Sequence, residues 1–254
     1  MDVSPLAIVL LTLVATIAGL VDAIAGGGGL LTVPALLTAG LDTTFVFGTN
    51  KGSAVFGSGS ALFRFWRAGL IDTRRAPLLF TLGFFGSLGG AALLTLLDKK
   101  ILTPVVLVLL VAAGITVTLV RPKPRPEGSL PPPGASLKMA ALALALGAYD
   151  GFFGPGTGTF LIIGFVMLLH FTLQEATANA KVVNFASNLA ALLLFIGKGL
   201  VIWKISIPMA FGQLLGGTIG AQLAVKKGDT LVRRVVLVVV LALVTRLGYE
   251  LLHS

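Results

Sequence analysis

Residues 19–34 read GLVDAIAGGGGLLTVP, and four consecutive glycines, Gly26, Gly27, Gly28 and Gly29, interrupt an apolar run just after an aspartate, Asp22. Glycine is a poor helix former, and a carboxylate is costly away from water. A counterpart lies downstream. GAYDGFFGPGTG, residues 147–158, places Asp150 on Asp22, Gly154 on Gly26 and Gly156 on Gly28 at an offset of 128 residues. The same break, made twice at matching places, sets the architecture.

The correspondence continues along the chain. VFGTNKGSAVFGS (46–58) matches ATANAKVVNFASN (176–188), with Lys51 on Lys181, and FWRAGLI (65–71) matches FIGKGLV (195–201), with Gly69 on Gly199. Asp98 falls on Asp229, so the offset drifts by only three residues over the half, which identifies an internal duplication. The first repeat occupies residues 1–120 and the second 137–254. Between them, RPKPRPEGSLPPPGAS (121–136) carries six prolines and several charges, the composition of a semi-rigid aqueous linker.

Of the 254 residues, 56% are hydrophobic and 11% charged, and the mean hydropathy is +1.00. Soluble domains carry about 25% charged residues, so this composition reads as a multi-span α-helical membrane protein. Apolar segments fall at 5–24, 30–40, 44–66, 77–97, 101–120, 136–152, 158–171, 176–197, 205–225 and 231–252. The second and seventh are short for a hydrocarbon core of about 30 Å at about 1.5 Å per residue. The N-terminus MDVSPLAIVLL has no basic stretch ahead of its apolar run, which predicts a retained first helix rather than a cleaved signal peptide. The net charge of +9 resides in short loops, where it sets orientation and meets anionic lipid; it is no nucleic-acid signal. With no cysteine, disulfides, thiol catalysis and cysteine metal sites are ruled out, and neither a metal nor a cofactor is expected.

Loop basicity alternates in opposite senses in the two halves. Arg64, Arg67, Arg74 and Arg75 make the first half's earlier loop the more basic, whereas Lys226, Lys227, Arg233 and Arg234 make the second half's later one so. That swap predicts inverted repeats, which require an odd number of crossings per half. Either all five segments of a half cross, or the first two form a hairpin that enters and leaves on one side. The expected fold is an all-α polytopic membrane protein of two pseudo-symmetric, inverted repeats. Each contains a broken or re-entrant helix pair plus about three full spans.

A helix that starts just after a glycine turn offers unpaired N–H groups and a positive dipole end, which suits an anion. The two turns are candidate halves of one central anion site, with tight helix packing as the plainer alternative. Lys51 and Lys181 stand inside apolar segments, flanked by Thr49 and Asn50 or by Asn179 and Asn184. A charge there costs roughly 2.5–3.5 kcal/mol on insertion scales, so each should face a cavity or a partner. Asn188 and Ser187 add further hydrogen-bonding capacity. Asp22 and Asp150 can pair with the lysines, carry protons for coupling, or cap the short helices. Gly86, Gly89 and Gly90, with Gly216, Gly217 and Gly220, mark expected close helix crossings.

These glycine, lysine and asparagine motifs together resemble the TauE/SafE family of membrane transporters, whose members are associated with export of sulfite and related small sulfur anions or organosulfonates. The resemblance covers nearly the whole chain apart from the linker. One departure is that Pro155 and Thr157 stand in place of two of the four glycines. The resemblance implies a multi-pass permease of the bacterial inner membrane, with the linker cytoplasmic. The residues expected to bind substrate are Gly26 to Gly29, Thr49, Asn50, Lys51, Gly154, Gly156, Thr157, Asn179, Lys181, Asn184 and Asn188. Expected partners are a small anion, the bilayer and other copies of the chain. The alternatives are an anion-selective channel and an intramembrane hydrolase built on Ser58 or Ser60 of GSGS.

Overall fold

The computed structural model describes residues 4–98, 100–102, 105, 108, 109 and 134–252, with side chains as far as Lys227. Most of the expected linker and of the fifth apolar segment lies outside the described residues. Every described element is a helix: α1 (Pro5–Ala25), α2 (Gly29–Thr38), α3 (Thr43–Arg67), α4 (Ala76–Leu96), α5 (Ala135–Phe152), α6 (Thr157–Leu169), α7 (Leu173–Gly197) and α8 (Trp203–Leu252).

Local chemistry fixes most of the helix ends. The Ser4 hydroxyl accepts from the Ala7 N–H at 3.2 Å ahead of Pro5, and the Asp42 carboxylate accepts from the Thr44 N–H at 3.1 Å. Thr172 and Glu175 form a reciprocal capping box at the start of α7. α5 begins at Ala135, inside the stretch expected to be linker, because Gly134 takes a left-handed conformation that starts the helix there. α8 corrects the expectation of separate segments at 205–225 and 231–252. It runs unbroken through Lys226, Lys227, Gly228 and Asp229, since no proline follows Pro208 and one glycine does not stop a helix.

Three described helices, α1, α4 and α7, are long and apolar enough to cross a membrane by length and composition. α2 and α6, with 10 and 13 residues, extend about 15 and 20 Å and stop short of that. Exposed apolar side chains such as Leu6, Val9, Leu13, Ile17, Phe85, Leu96 and Phe211 clothe the outside. That is the reverse of a soluble surface.

Two separate clusters form the apolar interior. One gathers Leu11, Ala15, Leu36, Phe47, Leu94, Phe195 and Met209; the other gathers Phe65, Leu79, Met139, Ala143, Phe165 and Leu169. Each long helix passes from one cluster to the other. α1, α3 and α8 begin in the Phe47 cluster, and α4, α5 and α7 begin in the Phe165 cluster. Repeat equivalents therefore fall in different clusters: Leu11 against Met139, Ala15 against Ala143, Phe195 against Phe65, Met209 against Leu79. α2 carries Leu30, Val33 and Leu36 back into the cluster where α1 began, and α6 does the same for α5. Each glycine break is thus the tip of a helical hairpin that turns back on itself.

Helices in lipid gain little from burying apolar area and associate through close packing of small residues. α1 lies along α8 and α4 along α5, which is one pairing made twice. Gly86 and Gly90 meet the backbone of Leu144 and Ala148, while Gly216 and Gly220 meet that of Thr16 and Leu20. Gly217 abuts the backbone of Gly57. Gly89 departs from expectation: it is exposed, with open space where its Cβ would be. Placed next to Gly90, it points away from the crossing.

These contacts set a pair of adjacent tests. Gly90→Leu forces a side chain into the α5 backbone, and overpacking of this kind costs about 1–3 kcal/mol or more. The melting temperature of the detergent-purified protein should fall by about 5 °C or more. Gly89→Leu should leave it within about 2 °C. Equal losses at both positions would contradict the packing described.

Candidate functional site: a polar centre between two hairpin tips

Between the apolar ends the helices turn polar. Gly26 (φ 73°) and Gly27 (φ 90°) end α1 and reverse the chain into α2, and Gly154 (φ 95°) and Gly156 (φ 86°) do so between α5 and α6. These left-handed values favour glycine. Gly26 meets a second demand, because its Cα rests on the backbone of Gly158 and Thr159, where a Cβ has no space. The two hairpin tips therefore touch. The Thr159 hydroxyl donates to the Ala25 carbonyl at 3.0 Å and ties one tip to the other. Inside the tips, the Gly28 N–H donates to the Asp22 carboxylate at 3.3 Å, and the Tyr149 hydroxyl donates to the Pro155 carbonyl at 2.9 Å.

The central helices α3 and α7 bring the lysines to these tips, and the pairing crosses between repeats. Lys51 of the first half lies 2.9 Å from the Asp150 carboxylate of the second. Lys181 of the second lies 2.8 Å from the Asp22 carboxylate of the first and also donates to the Asp22 carbonyl. The two ammonium groups are essentially inaccessible, with side-chain exposures of 2% and 0%. A buried charge is tolerable only with its partner and hydrogen bonds in place. The remaining bonds are present: Lys51 donates to Asn188 Oδ1 at 2.9 Å, and the Ser187 hydroxyl donates to Asp150. Asn188 donates to Asn184 Oδ1 at 3.1 Å, and Asn184 Nδ2 reaches Asp22 at 3.5 Å. The four charges cancel.

A cavity of about 30 Å3 opens at this crossing. It has room for roughly two waters at about 10–15 Å3 each. Of the residues expected at the site, Gly27, Gly28, Gly29, Asn50, Lys51 and Asp22 line it from the first half, and Gly154, Asn184, Asn188 and Asp150 from the second. Gly26, Gly156, Thr157 and Lys181 lie in the tips or behind the aspartate, off the cavity wall. Thr49 and Asn179, at equivalent positions, are used elsewhere. Thr49 Oγ1 accepts from the Ile202 N–H at 3.1 Å, and Asn179 Oδ1 accepts from the Asp72 N–H at 3.0 Å, each pinning the loop before a helix of the other half.

Two polar lining residues were not singled out from the sequence, Thr32 and Gln213. The Thr32 hydroxyl lies 2.6 Å from Asn50 Oδ1. Gln213 had a readable signal, a lone amide within an apolar segment. As for the serines, Ser58 donates to the Ala54 carbonyl at 2.9 Å and accepts from Asn188 at 3.3 Å, and Ser60 donates to the Gly57 carbonyl at 2.9 Å. Among the described residues neither hydroxyl is hydrogen-bonded to a histidine.

Comparison with known proteins identifies the family. Residues 11–247 match the family described as "Sulfite exporter TauE/SafE". The "Probable membrane transporter protein YfcA" of Escherichia coli strain K12 is 38% identical, over 99% of this chain and 95% of its own. A "Probable membrane transporter protein" of Haemophilus influenzae is 37% identical over 98% of each chain. The ORF9 "Probable membrane transporter protein" of a Sinorhizobium species is 36% identical over 94% of this chain and 91% of its own. No solved structure matches. A match across almost the entire length, with full-length relatives above a third identical, makes this chain a multi-pass membrane protein that belongs to the TauE/SafE family of membrane transporters.

Proposed function

We propose that the protein exports a small sulfur-containing anion, such as sulfite or an organosulfonate, through a central site between the two hairpin tips. The observation that carries this reading is the crossed lysine–aspartate pairing at a cavity walled by glycine backbone from the tips. Helix N-termini supply N–H donors, glycine lets an anion approach them closely, and Lys51 keeps an ammonium face on the cavity. The sulfur specificity is supported by the family description.

The cavity is too small for a sulfonate, so the form described is a closed one and binding requires the tips to part. We take the repeats to be inverted across the membrane plane. The support is that equivalent helices begin in opposite apolar clusters. A site at the midplane between inverted halves opens to one face or the other as one repeat rocks against its partner. Export of an anion from a negative-inside cell is favourable by about 2.3 kcal/mol per charge per 100 mV, so it needs no coupled ion. We place the protein in the bacterial inner membrane with the linker cytoplasmic.

Purified protein in proteoliposomes should show saturable flux of at least one among sulfite, sulfate, thiosulfate and organosulfonates. Lys51→Ala and Lys181→Ala, each checked for a monodisperse elution profile, should cut it at least tenfold; full flux in both would overturn the site. In the cysteine-free chain, single cysteines at Arg74 and Lys226 should react with an impermeant maleimide from the same side. Labelling from opposite sides would rule out inversion.

A further inference from the structure

Gln213 lies on α8 and lines the central cavity, with 3% of the residue exposed. Its amide is seated over the bare backbone of Gly19 on α1 and Gly57 on α3, and a Cβ at either glycine would run into it. Two glycines on two helices thus make the space for one glutamine. Among the described residues this amide has no hydrogen-bond partner. A buried amide is normally satisfied, and one left free at a cavity wall is placed to serve what enters. Asn50 is in a similar state: its Oδ1 is engaged by Thr32, while its Nδ2 has no acceptor.

The repeat shows that Gln213 is an addition to the scaffold. At the equivalent position of the first half stands Gly83, which packs on Gly147 as Gln213 packs on Gly19. The amide breaks the symmetry of the centre and supplies a hydrogen-bonding group from one side only. Meanwhile Lys51 and Lys181 are matched by Asp150 and Asp22, so the centre holds no uncompensated positive charge. Neutral amides and backbone N–H groups can satisfy the oxygens of an anion, but a second charge on it would find no counter-ion in a medium of low dielectric.

We propose that Gln213 and Asn50 are the selectivity element of this cavity, and that they fit it to a singly charged oxyanion, such as a monosulfonate, over doubly charged ones. The inference rests on reading the central cavity as the anion site. Gln213 contacts the substrate directly. Methionine is close to it in length and packs over the same two glycines without a donor.

The test is flux of the full chain in proteoliposomes with methanesulfonate against sulfate and thiosulfate, in wild type, Gln213→Met and Gln213→Glu. Wild type should carry methanesulfonate at least tenfold better in kcat/KM than either dianion. Gln213→Met should raise KM for methanesulfonate about tenfold with the maximal rate held within twofold. Gln213→Glu, nearly identical in shape but charged, should abolish the flux. Equal handling of mono- and dianions by wild type overturns the inference without need of any variant, and so does an unchanged KM in Gln213→Met. In both cases the central site itself survives. Wild type that carries none of these three anions overturns the selectivity, and the central site falls with it only if sulfite and the other organosulfonates are not carried either.

Discussion

Four ionised side chains meet at the centre of a chain built almost wholly of apolar helices, and the rest of the structure is arranged so that none is left alone. An ammonium or carboxylate in a medium of low dielectric costs several kcal/mol unless a partner and hydrogen bonds replace its water. Lys51 and Lys181 lie on the central helices, whereas Asp22 and Asp150 lie just ahead of the glycine turns, so pairing requires both hairpins to reach the middle. The pairs cross between repeats, Lys51 to Asp150 and Lys181 to Asp22. Neither half can neutralise its own charges in this arrangement. The glycine contacts of α1 with α8 and of α4 with α5 then hold the hairpins at the depth the ion pairs demand.

Much of this was legible in the sequence. The doubled glycine break predicted a broken or re-entrant helix pair in each half, because glycine at that density is a poor fit inside a lipid-facing helix, but it left open whether the short segments cross or turn back. The matched lysines predicted a polar centre, since two such charges at equivalent depth are too costly to be incidental. Spacing along one chain carries no information about which half answers which, so the crossed pairing was invisible, and so was the contact of Gly26 with Gly158. Thr49 and Asn179 looked like ligand groups beside the lysines, yet they face Ile202 and Asp72 and brace loops. A helix turns by about 100° per residue, so adjacent positions such as 49 and 50 face different neighbours. The same geometry separates Gly89 from Gly90. The charges at 226–229 suggested a loop, but charge alone does not interrupt backbone hydrogen bonding, and α8 continues through them.

On the transport reading proposed above, the fold would let a central site serve two sides of a membrane. Equivalent helices begin in opposite apolar clusters, with the polar layer between them. If the repeats are inverted as proposed, opening toward one end and opening toward the other would be nearly equivalent rearrangements, of similar cost to the protein. The equivalence of the halves is incomplete at the central cavity, since Gln213 faces Gly19 on one side and Gly83 faces Gly147 on the other. Symmetry governs the scaffold, and the wall of the central cavity departs from it.

The crossed pairing is the claim on which the account stands, and a double-mutant cycle on reversible unfolding in detergent addresses it most directly. Lys51→Met and Asp150→Asn should each destabilise by about 3 kcal/mol, because each strands its partner's charge. The double variant should lose at least about 2 kcal/mol less than the two single losses combined, and Lys181 with Asp22 should behave alike. If the losses simply add, to within about 0.5 kcal/mol, the two residues do not hold each other and the account of this centre is wrong.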